Sequence, residues 1–261
     1  MRKPVWCSPF GRPRPSYRRL LLAAAFTAGA LAALTAADDF PDLTGVWGVH
    51  VVPGQTSFRR GAPPDLPLTP EGKRKIDEYN ALVRPTQDGP GAHCVGLGMP
   101  AHVLASGGYP LEIIQRPEQI TMIYEVESET RRIYFGERNL PERDRVPDRN
   151  GYSSGRWEGD TLVVETTHLE EQVDETYAHS EQARIVERFH LSNDAQGAKV
   201  LTDQLTLIDP LFYTRPVTIE KQWTLIPNGH LMSYNCTLPD WLKHLDGLRA
   251  KASGGPPGGG R

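Results

Sequence analysis

Alternating apolar and polar positions dominate the second half of the chain. Short runs rich in β-branched and aromatic residues recur at Leu111 to Gln115, Ile120 to Val126, Arg131 to Glu137, Gly155 to Trp157, Thr161 to Thr167, Ala183 to Leu191, Lys199 to Ile208, Val217 to Ile226 and His230 to Cys236. With Leu43 to Val52 ahead of them, bounded by Pro53-Gly54, they make about ten candidate strands. Glu127-Ser128-Glu129, Glu158-Gly159-Asp160 and Pro227-Asn228-Gly229 read as hairpin turns, the last because Asn-Gly tolerates positive backbone dihedrals.

One helix precedes this series. Thr69 can cap free amides, and Pro70 needs no amide bond at the first helical position, so Thr69-Pro70-Glu71 opens a helix that ends near Val83, before Pro85. Ile76, Tyr79, Leu82 and Val83 form its apolar stripe. No long helices alternate with the strands, which argues against a parallel α/β plan. The expected fold is therefore all-β, an antiparallel β-barrel with one early helix, because closure protects the edges of many strands. A two-sheet β-sandwich is the alternative, since a period of two gives faces without giving closure. The charged, proline-containing stretch Asn139 to Asn150 is a solvent-facing loop able to border a cavity mouth, and Ser253 to Arg261 is a Gly/Pro tail.

Composition changes this picture mainly at the N-terminus. The 261 residues carry 29 basic and 32 acidic groups, a formal charge of −3, which argues against a nucleic-acid binder. Met1 to Ala37 holds six of the basic residues and no acidic one, followed by an apolar run from Leu20 to Leu34, the layout of an export signal. Its removal takes the net charge to −9. Ser16 to Leu22 resembles a twin-arginine signal around Arg18-Arg19, with Tyr17 departing from the usual pattern. The expected organisation is a cleaved signal at 1–37, one β-rich domain at 38–252 and a disordered tail at 253–261. The expected location is periplasmic or secreted, with membrane contact only through the signal. Cys7 leaves with that segment, so Cys94 and Cys236 either form a disulfide or stay a buried thiol pair.

Two resemblances add to this. Gly45-Val46-Trp47 resembles the glycine-x-tryptophan pattern in the first strand of lipocalins and their calycin barrel relatives, which implies a structural, base-closing role for Trp47. Gly155-Arg156-Trp157-Glu158-Gly159-Asp160-Thr161-Leu162-Val163-Val164 is similar to a segment of secreted bacterial β-rich proteins. That similarity runs from Asp42 to about Asp240 and includes Tyr109 to Ile113, His179-Ser180-Glu181 and Glu187-Arg188-Phe189. It implies secretion and a β-rich fold, and it brings no reaction with it.

Among groups capable of chemistry, His179-Ser180-Glu181 and Glu187-Arg188 stand out. A histidine exchanges protons near neutral pH, a carboxylate orients it or acts as a base, and an arginine holds an anionic oxygen. Glu187 shares strand parity with Ile185, Phe189 and Leu191, so it faces the interior and needs a partner, while Arg188 faces out. The bland alternative for Glu187 is a structural ion pair with an arginine. Ser180 has no GxSxG elbow around it. Glu165 is a buried acid if Thr161, Val163, Glu165 and Thr167 face inward, and loses that role if Leu162 and Val164 do. Arg132, Tyr124, Tyr134 and Trp157 are pocket-lining candidates, although each also suits routine cross-strand packing.

Eight histidines are present, without HExxH or clustered Cys/His spacing, and neither a Walker loop nor a Rossmann fingerprint occurs. No metal and no cofactor is therefore expected; the alternative is that His93-Cys94 and His102 meet in space with another ligand. The functional expectation is a small-molecule pocket protein performing cofactor-free acid-base lyase or isomerase chemistry, with His179, Glu187 and Glu165 as catalytic residues. The alternative is a noncatalytic periplasmic carrier of a small hydrophobic or aromatic ligand. In either case the partner is a small organic molecule, aromatic or anionic, with no nucleic acid.

Overall fold

A computed structural model of the chain describes residues 40–50, 66–86, 89–105, 107–174 and 176–252. The export signal and the Gly/Pro tail expected from the sequence lie outside the described residues. Nine strands form where the alternation predicts them: β1 (Gly45–Val49), β2 (Leu111–Arg116), β3 (Gln119–Tyr124), β4 (Thr130–Tyr134), β5 (Tyr152–Glu158), β6 (Thr161–Thr167), β7 (Arg184–Asn193), β8 (Lys199–Ile208) and β9 (Val217–Ile226). They close into a barrel in sequence order, with β9 pairing antiparallel to β1 through Trp47 opposite Leu225. The sandwich alternative is excluded.

Every neighbouring pair is antiparallel except one. β4 and β5 run parallel and pair only at Ile133 with Ser153 and Tyr134 with Ser154. The charged stretch between them carries the chain back along the barrel, so β5 starts in the same direction as β4. Gly155 permits the close approach there, since a Cβ would sit 2.8 Å from both Ile133 Cγ2 and Phe135 Cε1.

The inward face contains Trp47, Leu111, Ile113, Ile120, Met122, Ile133, Leu162, Val164, Ile185, Phe189, Leu201, Leu205, Leu207 and Trp223, all buried. Trp47 Nε1 donates to Leu43 O at 2.9 Å, which satisfies the one polar atom of a fully buried indole. The outer faces carry charged pairs such as Arg188 with Glu158 and Arg184 with Glu165. Among the described residues no helix is long and apolar enough to cross a membrane.

Helix α1 (Pro70–Val83) begins as the sequence predicts, with the Thr69 hydroxyl accepting from Gly72 N at 3.1 Å. Its packing differs in detail. Leu82 faces solvent, and Gly72 presses against Phe212, where a Cβ would lie 2.7 Å from the carbonyl oxygen. A one-turn helix α2 (Ala101–Leu104) follows. The largest difference is at the C-terminal end. His230 to Cys236 does not form a tenth strand, because β1 already fills the free edge of β9; the segment is irregular and leads into helix α3 (Thr237–Ala252). Cys236 thus leaves the sheet, yet it still bonds Cys94, with the Cα atoms 5.6 Å apart.

Candidate functional site

Three polar groupings sit at or inside the barrel. The deepest lies on the inward face. Arg131 on β4 forms a bidentate pair with Glu187 on β7, with Nη1 donating to Oε1 at 2.8 Å and Nη2 to Oε2. Two further donors of the guanidinium go to Ser153 Oγ at 3.0 Å and Thr166 Oγ1 at 2.8 Å. All four residues are buried. Asp203 on β8 lies near this pair, and neither of its carboxylate oxygens has a side-chain partner. Burial, and then the Glu187 charge, push its pKa well above the usual carboxylate range. Lys221, its cross-strand neighbour on β9, has a pKa lowered by burial.

A second grouping lies where β3 turns into β4. Glu127 and Ser128 in that turn both have positive φ, 60° and 53°. The turn directs Glu127 and Glu129 toward the buried His102 of α2, and the ligand atoms of the three residues all lie within 4.8 Å of one another. His102 Nδ1 is 3.2 Å from Glu129 Oε2 and 3.3 Å from Asn150 Oδ1. Asn150 Nδ2 donates to the same Glu129 oxygen at 2.5 Å, and Leu97 N donates to Glu127 Oε2 at 2.7 Å. Burial lowers the His102 pKa and raises that of Glu127. The His102 ring stacks on Tyr124 with centroids 5.0 Å apart, and Tyr124 is buried beside Arg131, so the two groupings adjoin.

The third feature is a groove where β4 and β5 diverge. Its volume is about 250 Å³, and Arg131, Arg132, Tyr134, Asn150, Tyr152 and Ser153 are among its lining residues. Tyr134 and Tyr152 stack with ring centroids 5.4 Å apart. Leu140, Asp144, Val146 and Asp148 of the charged crossover supply its outer lip, the cavity-bordering role allowed for that loop by its sequence.

The expected catalytic residues are not brought together. Glu187 is interior, but its partner is Arg131. His179 is buried in the crossover before β7, with Nε2 2.9 Å from Met99 O and Nδ1 3.3 Å from Ser180 O. Burial lowers its pKa, and the single N–H of the neutral ring is committed to a backbone carbonyl, Met99 O being the nearer. Ser180 gives its hydroxyl proton to Asp209 Oδ1 at 2.9 Å, while Asp209 Oδ2 accepts from Ser180 N at 2.7 Å, an arrangement that fixes a loop. Glu165 lies on the outer face beside Arg184, because Leu162, Val164 and Thr166 take the inward positions.

Of the lining candidates, Tyr124 is interior and Tyr134 borders the groove. Arg132 is exposed and also borders the groove, whereas its neighbour Arg131 occupies the interior. Trp157 stacks against Phe40 at 4.9 Å near one end of the barrel. The expectation of cofactor-free chemistry is overturned by His102, Glu127 and Glu129, which can chelate a metal ion. Their separation in sequence hid the convergence of His102 with the two carboxylates, since chain folding, not motif spacing, brings α2 to the β3–β4 turn.

Sequence reasoning missed Arg131, Asp203 and Lys221, yet the signal was present. Each is a charged residue within an apolar alternation: Arg131 with Ile133, Asp203 with Leu201 and Leu205, and Lys221 with Ile219 and Trp223. The same reasoning placed Glu187 correctly. No protein-family model matches the chain, and no curated protein is significantly similar to it, so the reading of this site rests on its geometry.

Proposed function

We propose that this protein is an exported binder of small aromatic anions, with the ligand seated in the groove between β4 and β5. The observation that carries the reading is an exposed guanidinium, Arg132, beside the Tyr134–Tyr152 stack, where the parallel strands β4 and β5 pair at two positions. Arg132 makes no hydrogen bond or ion pair among the described residues, so its donors are available to a carboxylate. The stacked Tyr134 and Tyr152 rings, with the Arg145 guanidinium 4.5 Å from the Tyr152 ring centre, form part of the groove's lining and border, and about 250 Å³ suits a molecule of one ring with a short substituent. Export is supported by the Cys94–Cys236 disulfide, a bond that persists in oxidising compartments.

Binding without conversion is favoured because His179 and Glu187 are each committed to structural partners. Calorimetric titration with benzoate, salicylate and coumarate, against their neutral amides, tests this reading. The acids are expected to bind and the amides to bind at least tenfold more weakly. Arg132→Ala is expected to weaken acid binding about tenfold, the value of a charge-assisted hydrogen bond, with the melting temperature unchanged. Equal binding of acids and amides, or unchanged affinity in Arg132→Ala, refutes the groove assignment.

A further inference from the structure

We propose that His102, Glu127 and Glu129 hold a divalent transition-metal ion at the end of the barrel where β3 turns into β4. The geometry is close to what such an ion requires. Donors about 2.1 Å from a common centre lie roughly 3–4 Å from one another, and His102 Nδ1 is already 3.2 Å from Glu129 Oε2, with all three ligand atoms within 4.8 Å.

The histidine supplies an observation independent of the carboxylates. Its side chain is fully buried, Nδ1 faces the cluster, and Nε2 has no hydrogen-bond partner. Neither neutral tautomer is satisfied by protein atoms. With the proton on Nδ1, the Nε2 lone pair is buried without a donor. With the proton on Nε2, that N–H is buried without an acceptor, and the Nδ1 lone pair faces a carboxylate oxygen. A cation between Nδ1 and the carboxylates converts this last repulsion into shared ligation, and it fixes the proton on Nε2, whose N–H still has no acceptor among the described residues.

The carboxylates fit the same account. Among the described residues, no lysine or arginine forms a salt bridge with Glu127 or Glu129, although the two acids converge. Asn150 donates to Glu129 and Leu97 N donates to Glu127, the kind of outer contacts that orient metal ligands. Gly96 leaves room for the arrangement, since a Cβ there would lie 1.5 Å from Glu129 Oε1. One imidazole nitrogen and two carboxylates suit Zn²⁺ or Mn²⁺ better than Mg²⁺, which prefers oxygen ligands alone. Three protein ligands leave coordination positions for water or a ligand oxygen. Asn150 touches the cluster and also lines the groove, so the two share one residue.

The test uses the metal alone, so it stands apart from any organic ligand of the groove. Tag-free protein, stripped with chelator and dialysed, is titrated calorimetrically with ZnCl₂ and with MnCl₂, using MgCl₂ as a comparison. One equivalent of Zn²⁺ or Mn²⁺ is expected to bind at micromolar or lower concentration. Glu127→Gln, Glu129→Gln and Gly96→Ala are each expected to weaken it tenfold or more, while circular dichroism shows a folded barrel; Gly96→Ala removes no ligand and acts only by displacing Glu129. Glu165→Gln, on the outer face of β6, is expected to bind like the parent. His102→Gln disturbs a buried position, and for that reason the decision rests on the carboxylate variants. No binding of either ion up to 1 mM, or a loss below tenfold in either carboxylate variant, overturns the site.

Discussion

Arg131 and Glu187 show why single charged residues inside this barrel behave as a set. Each is buried, and each supplies what the other lacks, two parallel donors against two carboxylate oxygens. Removing either partner leaves an uncompensated charge, so Arg131→Met or Glu187→Leu is expected to cost about 3–5 kcal/mol, and the double variant less than the sum of the two. Urea unfolding of the three variants at pH 7 measures the coupling; additive losses would mean that the pair is not an energetic unit. Asp203 adds a pH dependence. Its carboxyl keeps a proton in the folded barrel at pH values where the unfolded chain has lost it. The native state therefore binds more protons, and stability falls as pH rises from about 4 toward the raised folded value, by up to about 1.4 kcal/mol per pH unit. Arg131 opposes this shift, while Glu187 reinforces it. Asp203→Asn is expected to flatten the profile, with a urea midpoint above that of the parent at pH 8 and close to it at pH 4.5. Parallel profiles for the two proteins would remove Asp203 as the cause. The parity rule identified Glu187 as interior from sequence, and it applies equally to Arg131 and Asp203. It could not say that Arg131 meets the other two, because β4 reaches the neighbouring strands β7 and β8 across the barrel interior and not along the chain.

At the scale of elements, hairpins explain most of the topology and the exceptions explain the sites. β6, β8 and β9 match their expected limits because strong alternation is ended by clear turn residues. The Pro227-Asn228-Gly229 turn also forms, with Asn228 at φ 54° and Gly229 N donating to Ile226 O at 3.0 Å. The chain that leaves it has no edge to join, since β1 is already paired with β9, and it becomes a strap toward α3. The disulfide fastens this strap to the loop before α2, closing a sequence separation of 142 residues. Cys94→Ser or reduction is expected to lower stability by about 2–5 kcal/mol, the range for a cross-link that restricts so long an unfolded loop. Thermal melts with and without dithiothreitol check this, and coincident melts would show that the cross-link contributes nothing. The parallel β4–β5 junction left only a faint trace in the sequence: a charged, proline-containing connection too long for a tight turn.

On the scale of the whole molecule, closure decides which groups become neighbours. It brings β9 against β1, places α2 over the β3–β4 turn, and lets Tyr124 stand between His102 and the Arg131–Glu187 pair. The amino-acid sequence by itself determined nine of the expected strands, the early helix and its cap, and the inward position of Glu187. These depend on period, turn chemistry and capping, which act over a few residues. Barrel closure, the partner of Glu187, the outward position of Glu165, the separation of His179 from Glu187, and the convergence of His102 with Glu127 and Glu129 were decided only by the tertiary structure. Each of these depends on register between distant strands, and a shift of one residue there turns a side chain from the interior to the outside.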